Sequence, residues 1–94
     1  MMKIEQEQLG ISYDLPEFLQ RDIEAFYATL RELNGDGKRS HIEYNGNVVR
    51  TAARLGWLEG VKEKDVGGMR PNVVNWLSSE LSTAVSAAFD IPGE

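Results

Sequence analysis

The chain has no cysteine. Disulfides, thiolate nucleophiles and cysteine-ligated zinc are therefore excluded, and with them the disulfide-stapled secreted miniprotein. It has one histidine, His41, set in a polar stretch where solvation is its ordinary state. With the serines gathered mainly on the polar side of one helix, no nucleophile–base pair is visible, and no Gly-rich phosphate loop follows a strand. The expectation is a non-enzymatic protein without cofactor or metal. Long apolar runs are missing too. No segment approaches the ~20 apolar residues of a membrane-spanning helix. Met1-Met2-Lys3-Ile4-Glu5-Gln6-Glu7 lacks the apolar core of a signal peptide, and a cytoplasmic protein is expected. Positive charge is scarce: 10 Lys and Arg stand against 15 Asp and Glu, a formal net charge of -5, and no base follows Arg70. An acidic balance argues against general binding to nucleic-acid phosphates or anionic membranes. There is neither internal repeat nor low-complexity tract.

What is present describes a small helical domain. Ninety-four residues make one domain with a modest core. In residues 1–13, Leu9, Ile11 and Tyr13 alternate, which predicts either a short edge strand or an arm. A first helix is expected over residues 14–33. Asp14 and Glu17 have capping-box spacing, Pro16 falls in the first turn, and Leu15, Leu19, Ile23, Phe26, Tyr27, Leu30 and Leu33 share an arc of roughly 120°. Asn34-Gly35 ends it.

Residues 36–44 read as a polar loop. Asn45-Gly46 between Ile42-Glu43-Tyr44 and Val48-Val49 is compatible with a hairpin turn. The preferred reading makes Asn47 the N-cap of a second helix over 47–56, stopped by Gly56, with Trp57 and Leu58 folding back. Residues 59–70 read as a linker. Pro71 opens a third helix over 71–90, closed by Asp90-Ile91-Pro92-Gly93. Its apolar face spans roughly 160°, wide enough to make it the element against which both other helices pack. Trp76 points away from that face. The fold class expected is mainly α, three helices preceded by a short strand or arm.

Four constellations bear on function. Glu32, Asn34, Asp36, Gly37 and Glu43 fall at EF-hand positions, but Glu opens the series, Arg39 occupies the aliphatic position and Asn45-Gly46 interrupts the exiting helix, so a polar interhelical loop is the better reading. Ala52 and Gly56 have helix-turn-helix spacing beside Arg50 and Arg54, but Glu59, Glu63 and Asp65 would turn the wrong sign toward phosphates. Scattered carboxylates make no acid–base pair. That leaves protein contact. Trp57, Trp76 and Phe18 are the candidate contact residues, since Trp is enriched at binding hot spots and Trp76 and Phe18 lie off their helices' main apolar faces.

Arg54-Leu55-Gly56-Trp57-Leu58, then Asp65-Val66, then Met69-Arg70-Pro71 with Val74, Leu77 and Leu81, and the closing Ile91-Pro92, together resemble small phage and prophage proteins of the tail-gene region, of the tail assembly chaperone type. The resemblance covers residues 48–92, and its motifs are short and mostly structural. It implies a small, mainly helical, non-enzymatic protein made in the infected host. Such a protein binds the tape-measure protein, helps tail-tube subunits polymerise around it and is lost from the mature virion. No binding residue carries over. Two other classes are kept beside this reading. One is an acidic anti-host or regulatory protein that occupies a nucleic-acid-binding protein, which requires a contiguous acidic face. The other is a DNA-binding regulator, which requires Arg50, Arg54 and Lys38-Arg39 on one surface.

Overall fold

The alternation of Leu9, Ile11 and Tyr13 belongs to a β-hairpin. The computed structural model describes residues 2–90, and in it β1 (Met2–Gln6) pairs antiparallel with β2 (Ile11–Leu15), Met2 opposite Leu15 and Ile4 opposite Tyr13. A single 3-10 turn, Glu7–Leu9, joins them, and Gly10 closes it at φ +67, a backbone conformation glycine adopts without steric cost. Ile4 and Leu15 are buried, while Lys3, Glu5, Ser12 and Asp14 on the other face are exposed. This is the period-2 pattern of a sheet with one covered side.

The hairpin takes Asp14 and Leu15 away from the helix expected to begin there. α1 runs Gln20–Asn34, six residues shorter at its start than the apolar spacing implied. Its first turn is closed by Asp22, whose Oδ2 accepts the Leu19 N–H at 2.8 Å. The apolar arc survives in part: Ile23, Phe26 and Leu30 are buried, but Leu19 and Tyr27 are exposed. Gly35 ends α1 as expected, at φ +67 with its N–H on the Arg31 carbonyl.

α2 (His41–Arg54) begins six residues before the expected Asn47 cap. Ser40 is the N-cap. Its Oγ accepts the Glu43 N–H at 3.1 Å, and Glu43 Oε1 accepts the Ser40 N–H at 3.2 Å, so each satisfies an otherwise orphaned donor. His41 is thus helical, and Asn45-Gly46-Asn47 lies inside the helix, which rules out a hairpin over 42–49. Asn47 works as a cross-link instead of a cap: its Nδ2 donates to Asn34 Oδ1 at 2.8 Å, tying α2 to the end of α1. The helix stops before Gly56, which turns the chain at φ +78. Trp57 and Leu58 then fold back and are buried, the Trp57 N–H reaching the Ala52 carbonyl at 2.9 Å.

The expected linker contains a 3-10 segment, Glu63–Gly68, that delivers Val66 to the core. α3 (Pro71–Ala87) opens at Pro71 as expected and stops three residues short of Asp90. The Ile91-Pro92-Gly93 closure lies outside the described residues.

Helix α2, not α3, is the hub. It packs against α1, against α3 and against the 3-10 segment, whereas α3 packs chiefly on α2 alone. Composition accounts for the reversal. α2 buries Gly46, Asn47, Val48, Val49, Thr51, Ala52 and Ala53, mostly small residues that admit neighbours on several sides. The buried residues of α3, Leu77, Ser78, Leu81, Ala84 and Val85, form one stripe. One apolar cluster joins the hairpin, the three helices and the 3-10 segment. Among the described residues, no buried side-chain nitrogen or oxygen lacks a partner, Thr51 being satisfied by the Asn47 carbonyl at 2.7 Å.

Candidate protein-contact surface

On α2, Ile42, Gly46, Val49 and Ala53 fall at i, i+4, i+7 and i+11, one stripe of a helix. The last three are buried, but Ile42 is 82% exposed. The apolar stripe therefore runs past the end of its cover. Beside Ile42 lies a groove of about 410 Å³ between the N-terminal half of α2 and the junction of the 3-10 segment with α3. Its apolar walls are Ile42, Val66, Met69, Pro71 and Val74.

Polar side chains fix the groove's shape. Asn45 Nδ2 donates to Asn75 Oδ1 at 3.3 Å across the two walls, and Ser78 Oγ donates to Asn45 Oδ1 at 3.1 Å. Arg50 also lines it. Its Nη1 donates to Asn47 Oδ1 at 3.1 Å, and its guanidinium lies against Gly46, where a Cβ would stand 2.9 Å from Nη1. No carboxylate of the described residues lies within ion-pair distance of Arg50. Glu43, on the same wall, is held by the Ser40 N–H and hydroxyl, with Arg39 nearby, and its carboxyl sits below the ordinary range.

The next arginine is in a different state. Arg54 donates from Nη1 to Glu32 at 3.0 Å and from Nη2 to Glu63 at 3.1 Å, with Nε also on Glu63. The hydrogen bonds to Glu63 hold the guanidinium above its usual value and the Glu63 carboxyl below its own.

The residues singled out from sequence fall in different places. Trp57 is only 6% exposed, stacked with Phe26 and in contact with Phe18 at 4.4 Å between ring centroids. It is a core residue with little surface to offer, because the fold-back after Gly56 carries it inward. Phe18 and Trp76 are half-buried and pack against the core. The structure thus joins Phe18 to Trp57 but makes no single patch of the three. The sequence reading missed Ile42, Tyr27 and Tyr44, the latter two nearly half exposed. The Ser40-x-x-Glu43 spacing would have found Ile42, since a helix started there sets Ile42 in phase with Val49. The calcium-loop residues do not converge. Glu32 pairs with Arg54, Asn34 with Asn47, and Glu43 with Ser40. Among the described residues, no helix is long and apolar enough to cross a membrane.

Comparison with protein-family models, with curated proteins and with solved structures finds no match to this chain.

Proposed function

We propose that this protein is a non-enzymatic assembly factor that acts by protein–protein contact, of the phage tail assembly chaperone type, working in the host cytoplasm on tape-measure or tail-tube subunits. The observation that supports it is the uncovered end of the α2 stripe. Ile42 stands exposed beside a groove walled by Val66, Met69, Pro71 and Val74 and braced by the Asn45–Asn75 bond. An exposed apolar site next to a shaped groove is how a helical adaptor engages a partner segment. The tail-gene assignment adds the likeness of residues 48–92 to that family. A DNA-binding regulator is less well supported, since Arg54 is committed to Glu32 and Glu63. The test is co-expression of the affinity-tagged chain with the tail-tube and tape-measure subunits of the genome that encodes it. Co-purification of either subunit is expected. Recovery of neither, with the tagged chain folded and abundant, would overturn the tail assignment.

A further inference from the structure

We propose that the groove between α2 and the start of α3 receives a short segment of a partner protein that brings apolar side chains and one carboxylate, the carboxylate seated on Arg50. This rests on the protein-contact reading of the same groove and names the chemistry of what fills it.

The apolar part follows from the walls. A groove of about 410 Å³ lined by Ile42, Val66, Met69, Pro71 and Val74 is at the small end of the range for concave binding sites. It accommodates a few side chains, not a folded domain.

The carboxylate follows from charge. The chain carries 15 acids and 10 bases, yet among the described residues Arg54 is the one cation in ion-pair contact with acids. Arg54 takes two of them, and Arg50, one turn earlier, has none within ion-pair distance among the described residues. Its guanidinium is nevertheless positioned. Asn47 Oδ1 accepts one of its N–H groups at 3.1 Å, and the missing side chain of Gly46 makes the space in which it lies. A planar guanidinium held by one edge keeps its other donors for a bidentate carboxylate. The acid on this wall, Glu43, lies two turns N-terminal, about 10 Å along the axis, and is fastened to Ser40. The groove is therefore acidic at one end and basic at the other, which fixes the direction in which a segment lies. Asn75, its Oδ1 engaged by Asn45, keeps its Nδ2 as a donor for a main-chain carbonyl.

The experiment selects a displayed random heptapeptide library on the immobilised full-length chain. The enriched peptides are then titrated by fluorescence anisotropy against wild type, Arg50→Gln, Gly46→Ala and Ile42→Asp, each checked for folding by circular dichroism. The exposure of Ile42 makes Ile42→Asp safe for the fold. Enriched peptides should combine bulky apolar residues with a carboxylate. Arg50→Gln should weaken them about tenfold, and amidation of the carboxylate by as much, with no further loss when both changes are combined. Gly46→Ala, which keeps the charge but shifts the guanidinium, should weaken them several-fold. Peptides enriched equally on Ile42→Asp, or indifferent to amidation, or no enrichment above that variant, would overturn the proposal. If tail subunits co-purify with Arg50→Gln and Ile42→Asp as well as with wild type, protein contact stands and the groove assignment fails. If carboxylate peptides bind as described while no tail subunit co-purifies, the groove stands and the tail assignment fails.

Discussion

The indole of Trp57 lies nearly parallel to the ring of Phe26, with 4° between their planes and 5.4 Å between their centroids. This stack joins the turn after α2 to the centre of α1. Replacing Trp57 by Ala removes a buried aromatic that nothing nearby is large enough to replace. The expected loss is about 3–5 kcal/mol, a large share of what a domain of this size has. Urea unfolding followed by far-UV circular dichroism checks it. A loss below about 1 kcal/mol would mean that the ring is not the anchor its burial indicates. Trp76→Ala, at a half-buried site, should cost clearly less.

The start of α2 rests on Ser40. Ser40→Ala removes the oxygen that caps Glu43 N–H and should cost about 1 kcal/mol, whereas Ser40→Asp, which keeps an acceptor there, should retain most of the stability. If α2 instead began at Asn47, Ser40→Ala would leave the urea midpoint unchanged, so one pair of unfolding curves separates the two descriptions.

Two glycines, Gly46 within α2 and Gly56 just past its end, should respond oppositely to the same change. At Gly46 the backbone is helical, and an added methyl meets only the movable end of Arg50. Helix propensity then favours Gly46→Ala by up to about 1 kcal/mol, less the cost of shifting the guanidinium. At Gly56 there is room for a methyl, but φ is +78. Gly56→Ala should therefore destabilise by about 1 kcal/mol through backbone strain alone. Thermal melts of the two variants should move in opposite directions from wild type.

Acid should weaken the fold through Glu43 and Glu63. Both carboxyls sit below their ordinary value, Glu43 because of Ser40 and Glu63 because of Arg54. The unfolded chain then binds more protons than the folded one as pH falls through the ordinary glutamate range, about 4.3. Their stabilisation is present above that range and is lost as pH drops through the lower folded values. Arg54, shifted upward, changes nothing at working pH, since its loss of charge lies far on the alkaline side. Both groups are near the surface, so the effect should be modest and should shrink at high salt. Glu63→Gln should flatten the acid limb of a stability–pH curve, and an unchanged limb would remove Glu63 from the explanation.

Local signals located the breaks in the chain well: Gly35, Gly56 and Pro71 each mark an end or a start where the sequence placed it. They failed where a distant partner decides. Leu15 is in phase with the helix that follows, yet it belongs to β2, because Met2 and its neighbours pair across the hairpin. Asn45-Gly46-Asn47 has the composition of a turn but is helical, because Asn34, Asn75 and Ser78 satisfy its amides from other elements. Width of apolar arc suggested that α3 is central, but closeness of approach decides that role, and α2 has the smaller residues. The candidate groove was illegible for the same reason. Its walls come from three separate elements, and only the correct start of α2 turns Ile42 toward it.

The main packings of this fold join elements close to one another in the sequence: β1 to β2, α1 to α2, and α2 both to the 3-10 segment and to α3. Most of the contacts close short loops, and low contact order of this kind goes with folding in microseconds to milliseconds. Each of these elements can meet its neighbour soon after both are synthesised, so the domain should be folded shortly after α3 is made.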